Sequence, residues 1–285
     1  MFAPGLLAAK RILVTGGGTG LGAAMARRFA ELGARLVICG RRAEPLEATA
    51  AALRNELDAE IELHRCDLRS ADAVEAMMDA IWASAPVDVL VNNAAATFVA
   101  RSEALSARAL DAVLAPTLHG ALHCTLATGR RWIEARRGGC VLSILSTSTI
   151  TGRAFTMPSA VAKSGLLAMT RSLAVEWGPH GIRLVAIAPG AFPTPGATGQ
   201  LMSGPRAGRD PGERVPLGRV GEHAELANLA SYLVSDQAAY VTGEMVTIDG
   251  GAHLRGSGAE DLLAWTEADW SALRSARARP DKPRG

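Results

Sequence analysis

The chain has 285 residues, 48% hydrophobic and 20% charged, with a formal net charge of +2 at pH 7. That length buries a large core, and the apolar content excludes a disordered chain. Basic residues are scattered, which leaves no electrostatic footprint for nucleic acid, and no stretch approaches the roughly 18 apolar residues of a membrane span.

In chain order, the segment 1–10 holds too short an apolar run for a signal peptide, so a cytoplasmic location is expected. Arg11-Ile12-Leu13-Val14-Thr15 reads as a buried strand. A glycine turn and an alanine-rich helix from about Leu21 to Leu32 follow it. Leu36–Cys39, Ile61–Leu63, Val87–Val91, Cys140–Leu145, Arg183–Ile187 and Met245–Ile248 read as further strands, separated by helical patterns long enough for parallel crossovers. The expected fold is α/β: a doubly wound, Rossmann-like parallel sheet in a single domain over residues 11–252, with a C-terminal extension over 253–285. Between Pro189 and Pro216 six prolines and six glycines rule out a continuous helix or strand, and this loop at a strand's carboxyl end is expected to be a substrate lid.

Cys39, Cys66, Cys124 and Cys140 are widely spaced and read as small core residues. His119 and His123 lie one helical turn apart, but no third ligand accompanies them, so no metal site is expected.

Thr15-Gly16-Gly17-Gly18-Thr19-Gly20-Leu21-Gly22 stands between a strand and a helix, where glycines let pyrophosphate oxygens approach backbone N–H groups at a helix N-terminus. Gly16, Gly18, Thr19, Gly20, Leu21 and Gly22 are the candidate contacts for a dinucleotide. After the second strand stands Gly40-Arg41-Arg42, where a carboxylate would hold the ribose hydroxyls of NAD. Arg41 and Arg42 instead suit a 2′-phosphate, so NADP (NADPH) is the expected cofactor.

These segments, with Cys66-Asp67-Leu68, Asn92-Asn93-Ala94-Ala95, Ser146, Lys163, Ala188-Pro189-Gly190 and Asp249-Gly250-Gly251, resemble the short-chain dehydrogenase/reductase family. The segments 158–163, 173–178 and 226–230 and the tryptophan-bearing tail 261–273 are similar to its 2,4-dienoyl-CoA reductase branch. The resemblance implies that Asp67 and Leu68 line the adenine side, that Asn93 and Ala94 pack under the cofactor, and that Lys163 holds the nicotinamide ribose. It also places Pro189, Gly190 and Thr194 at the carboxamide or a phosphate, and implies a homotetramer.

Where most of that family carries Tyr-x-x-x-Lys, this chain has Ser159-Ala160-Val161-Ala162-Lys163. The dienoyl-CoA branch carries serine there and uses a tyrosine aligned with Ser148, and an asparagine where this chain has Thr97. Tyr232 and Tyr240, the two tyrosines of the chain, fall far from this region. A positioned acid contributes about 10²–10⁴-fold to protonation, so the catalytic candidates are Lys163, Ser159, Ser146, Ser148 and Thr97 acting with water. The implied function is NADPH-dependent reduction of a small-molecule substrate, an unsaturated acyl-CoA of fatty acid metabolism or a related conjugated carbonyl compound. The alternatives are a general carbonyl or alcohol oxidoreductase and a non-catalytic NADP-binding protein.

Overall fold

A computed structural model describes residues 2–201, 210–256 and 259–277. In chain order the elements are β1 (Arg11–Thr15), α1 (Gly20–Glu31), β2 (Arg35–Gly40), α2 (Ala43–Leu57), β3 (Ile61–Arg65), α3 (Ala71–Ser84) and β4 (Val89–Asn92). Then come α4 (Ala107–Leu114), α5 (Gly120–Glu134), β5 (Gly139–Ile144), α6 (Ser148–Thr151), α7 (Met157–Trp177), β6 (Ile182–Pro189), α8 (Pro195–Leu201), α9 (His223–Val234), β7 (Met245–Ile248) and α10 (Glu267–Arg277). The strands form one parallel sheet in the order β3-β2-β1-β4-β5-β6-β7, the doubly wound arrangement expected.

Side chains alternate across each strand, and the sheet is covered on both faces, so the central strands β1, β4, β5 and β6 are mostly apolar and buried, while the edge strands β3 and β7 are only partly so. Ile12, Val14, Leu36, Ile38, Val185 and Ile187 pack one face against α1, α2 and α9. Leu13, Val37, Leu90, Val141 and Leu184 pack the other against α3, α5 and α7. Trp132 of α5 is fully buried there, and its indole N–H donates to the Val87 carbonyl at 2.7 Å. All four cysteines are buried and unpaired.

Strand order reverses between β1 and β4, and the crevice beyond their carboxyl ends is where such sheets bind ligands. A π-helical turn, Ala115–His119, joins α4 to α5 and contains Pro116, whose ring nitrogen cannot donate to the helical ladder.

The 189–216 segment differs from the irregular loop expected. Pro189 still pairs with Ile248 as the last residue of β6, and Pro195 opens the short helix α8. Proline is tolerated in a first turn because the N–H it lacks would have no intrahelical partner there. Residues 202–209 of the expected lid, and 257–258 and 278–285 of the expected C-terminal extension, lie outside the described residues. Among the described residues no helix is long and apolar enough to cross a membrane.

Candidate active site

The glycine turn is built by β1 running into α1. Gly16 and Gly20 have φ of 66° and 55°, the left-handed region that side chains disfavour. Gly22 admits no substitute: a Cβ there would sit 2.3 Å from the Gly16 carbonyl oxygen and 2.5 Å from the Asn93 amide nitrogen. Asn93 is fixed in turn, its side-chain amide donating to the Thr15 carbonyl at 2.9 Å and its backbone N–H to the Thr15 hydroxyl at 2.9 Å. The Thr15 hydroxyl also accepts from the Ala94 N–H at 3.1 Å and donates to the Val91 carbonyl at 3.1 Å. It thereby ties the end of β4 to the glycine turn, a role for which sequence offered only its place before Gly16.

Beside the turn, Gly16, Gly18, Thr19, Gly40, Arg41 and Arg42 line an open groove. Both arginines are exposed, and Leu46 and Pro45 of α2 form its floor. Cβ atoms added at Gly18 would reach 2.9 Å from the backbone of Leu46, so the groove depends on the missing side chain. Its lining suits a dinucleotide's phosphates: backbone bare of side chains at Gly16 and Gly18, the left-handed Gly16, and the exposed cations Arg41 and Arg42.

Asp67 stands past β3, half-buried. Both its oxygens are taken by Arg69, whose Nε lies 2.9 Å from one and whose Nη2 lies 2.6 Å from the other. Hydrogen bonding from Arg69 holds the carboxyl below the usual carboxylate range, and the nearby Arg41 charge pulls the same way. Leu68 is buried, and its carbonyl is paired with His123 Nδ1 at 3.1 Å, while His119 is exposed. The described residues contain no cluster of three metal-ligating side chains.

Of the catalytic candidates, Thr97 follows β4, Ser146 and Ser148 follow β5, and Ser159 and Lys163 stand on α7. Pro158 lies in the first turn of α7, so Ser159 and Lys163 stand one turn apart on the helix. Lys163 is 6% exposed, and its ammonium donates to the carbonyl of Ile144, the last residue of β5. Burial pushes its pKa down from 10.5 to about 8. Beyond Ile144 the chain turns over itself: the Ser146 hydroxyl accepts the Ser148 N–H at 3.3 Å, and the Ser146 carbonyl accepts the Thr149 hydroxyl at 2.8 Å. This makes Ser148 the start of α6, a turn the sequence reading did not anticipate, and leaves its side chain buried. The Thr147 N–H donates to the Pro189 carbonyl at 3.3 Å, joining this segment to β6.

Thr97 is half-buried on the segment after β4. The buried Thr117 hydroxyl, from the π-helical turn, accepts the N–H of neighbouring Ala96 at 2.9 Å and holds that segment in place. Across the cleft, Gly190 donates to the Ile248 carbonyl at 3.0 Å, and a Cβ on Gly20 would meet the Thr194 methyl at 3.1 Å, so the segment after β6 closes down on the glycine turn. Tyr232 and Tyr240 are both exposed, and Tyr240 fully so.

A family model described as Enoyl-(Acyl carrier protein) reductase matches residues 16–253. A Bacillus subtilis protein named probable 2,4-dienoyl-CoA reductase, (2E)-enoyl-CoA-producing, is 38% identical over 247 residues, covering 86% of this chain and 97% of that protein. The L-rhamnose 1-dehydrogenase (NAD(P)(+)) of Azotobacter vinelandii is 35% identical over 256 residues, covering 86% of this chain and 97% of that one. Among solved structures, a short chain dehydrogenase from Bacillus anthracis superposes with a TM-score of 0.77 at 39% identity, covering 87% of this chain and 98% of that one. With its seven-stranded parallel sheet, its glycine turn under Asn93 and a match over most of its length, the chain belongs to the short-chain dehydrogenase/reductase family of oxidoreductases, in the company of the 2,4-dienoyl-CoA reductases.

Proposed function

We propose that this protein is an NADPH-dependent reductase of an unsaturated acyl-CoA of the 2,4-dienoyl kind, working without a dedicated tyrosine acid. The carrying observation is the buried Lys163 ammonium tethered to Ile144, one helical turn from Ser159 and at the base of the strand end that bears Ser146 and Ser148. The 38% identity to the Bacillus subtilis protein supports the substrate class.

In this reading the backbone N–H groups of Gly16, Gly18, Thr19, Gly20, Leu21 and Gly22 receive the pyrophosphate, and Arg41 and Arg42 take the 2′-phosphate. Asp67 and Leu68 border the adenine, and Asn93 and Ala94 support the nicotinamide half. Pro189, Gly190 and Thr194 flank that half, and Lys163 holds its ribose. When bound, the reduced nicotinamide supplies a hydride. The thioester carbonyl oxygen then carries developing negative charge, which hydroxyl donors from Ser146, Ser148, Ser159 and Thr97 stabilise by hydrogen bonding. The same hydroxyls align the water that returns a proton to the carbon chain. Lys163, with a pKa of about 8, is mostly protonated at neutral pH and adds positive potential at this point.

The protein acts as a homotetramer in this reading, with residues 253–285 as an extension beyond the catalytic domain; light scattering that finds only monomers at micromolar concentration removes that part. The main test is NADPH oxidation followed optically with dienoyl-CoA, enoyl-CoA and simple carbonyl substrates, together with NADP reduction by polyols. Turnover of dienoyl-CoA above the others is expected. No turnover of any compound by protein that binds NADPH overturns the assignment in favour of the non-catalytic reading, and turnover confined to NADPH with simple carbonyls or NADP with polyols favours a carbonyl or alcohol oxidoreductase.

A further inference from the structure

Phe155 stands just before α7 with φ of 62°, in the left-handed region where a bulky aromatic residue is rare. Its backbone is locked on both sides. The Phe155 carbonyl accepts the Ala100 N–H at 2.9 Å, which pins it to the segment carrying Thr97. The next residue, Thr156, is buried, and its carbonyl accepts the N–H of Ser159 at 3.1 Å and of Ala160 at 3.2 Å, which starts the helix that carries Lys163.

This costly conformation does not serve to bury the ring, because Phe155 is 55% exposed. Three more large apolar side chains stand exposed on the segments it joins: Val99 at 39%, Ile150 at 47% and Met157 at 38%. Each is within two residues of a candidate catalytic side chain: Val99 of Thr97, Ile150 of Ser148 and Met157 of Ser159. Apolar groups scattered singly over a surface carry no message, but these four stand on two segments that the Ala100–Phe155 hydrogen bond joins, each close in sequence to a candidate catalytic residue, which makes them a candidate apolar patch.

We infer that Phe155 is a specificity-determining residue, its ring the central panel of an apolar wall that receives the hydrocarbon tail of an acyl substrate whose reacting carbonyl lies among the serines. The inference rests on the acyl-thioester reading given above and adds which residue selects for chain length. An apolar wall continuous with the hydroxyl cluster suits a substrate that is polar at one end and hydrocarbon at the other. It offers a polyol no hydrogen-bond partner beyond the strand end.

The test is equilibrium binding of saturated hexanoyl-CoA and dodecanoyl-CoA, which share the CoA moiety, to the full-length protein by calorimetry. The wild type should bind the longer chain at least about tenfold more tightly, since each methylene removed from water is favourable. Phe155→Asn keeps a residue that tolerates the left-handed backbone while removing the ring, and should cut that advantage to about threefold or less with hexanoyl-CoA affinity little changed. Phe155→Leu, apolar but strained, should retain most of the advantage. Equal affinity of the wild type for both chains, or a Phe155→Asn loss equal for both, overturns the inference. So does a Phe155→Asn variant that dissociates into smaller oligomers with its chain-length preference intact, which makes the patch a contact between copies of the chain. Binding is read without turnover, so a chain-length preference in a protein that reduces no acyl-CoA sinks the catalytic reading and leaves this one standing.

Discussion

The Lys163 ammonium on α7 donates to the Ile144 carbonyl at the carboxyl end of the interior strand β5, and this contact buries a charged group against a carbonyl two residues before Ser146 in the chain. A lysine buried with a carbonyl partner and no carboxylate beside it keeps its proton less firmly, which is why its pKa falls from 10.5 to about 8.

That shift makes stability depend on pH. The native state releases the Lys163 proton at about pH 8, whereas the unfolded chain holds it to about 10.5. Between those values the unfolded state binds more protons, so the destabilisation that is complete below about pH 8 is relieved as pH rises toward 10.5. Over the full window the gain is about 3 kcal/mol. Urea unfolding of the cofactor-free protein and of Lys163→Met from pH 7 to 10 isolates this group, with the wild type expected to gain on the variant by most of that amount. A difference that stays constant with pH shows that the ammonium is not desolvated as described.

Gly22 is predicted to be irreplaceable even by alanine. The two atoms a methyl group would strike, the Gly16 oxygen and the Asn93 amide nitrogen, belong to the hydrogen-bonded junction of β1 and β4 and have little freedom to yield. Overpacking costs about 1–3 kcal/mol, and Gly22→Ala should therefore lower Tm and weaken dinucleotide binding by about tenfold or more. Gly196→Ala on α8 is the control, since nothing lies within 4 Å of a Cβ there. Equal behaviour of the two variants in a calorimetric titration removes the steric argument.

The proposed preference for NADP rests on Arg41. Removing a charge-assisted hydrogen bond to a 2′-phosphate costs about 1.5–3 kcal/mol, so Arg41→Ala should weaken NADPH roughly tenfold or more while leaving NADH nearly unchanged. Equal losses for both cofactors, or a wild type that prefers NADH, contradict the NADP assignment.

Much of this was legible in the sequence. Apolar runs such as Arg11–Thr15, buried at every position, and Met245–Ile248, half-buried on the last strand of the sheet, were legible as strands from apolarity and spacing. The glycine turn was legible because its backbone geometry excludes other residues. Contacts made by small polar side chains were not. Thr15 and Thr117 anchor the loops around the site through single hydroxyls, and a threonine carries no periodicity that marks which backbone N–H it will meet. Asp67 was singled out only through the family resemblance, and its partner Arg69 depends on a turn geometry that spacing does not encode. Prolines in the 189–216 segment signalled interruption and concealed α8, since a proline at a helix start and one in a loop look alike in sequence.

The last prediction concerns the missing acid. If water ordered by several hydroxyls returns the proton, replacing Ser146, Ser148, Ser159 or Thr97 singly with alanine should produce partial losses, none approaching the 10²–10⁴-fold that removal of a dedicated acid costs. Restoring an acid should then speed the reaction. Ser148→Tyr puts a phenol at the start of α6, where the Ser146 hydroxyl already fixes the backbone, and Thr97→Asn supplies a longer hydrogen-bonding arm from the opposite segment. Ser148 is 7% exposed, so the ring must extend along the cleft, and Tm is measured alongside kcat to separate crowding from chemistry. With Tm kept, the double variant should raise kcat for a 2,4-dienoyl-CoA by about tenfold or more, and Ser159→Tyr should do less, because it crowds the Lys163 face of α7 without restoring that donor. A well-folded double variant that reduces dienoyl-CoA no faster than the wild type shows that Ser148 does not stand where the reaction needs its proton.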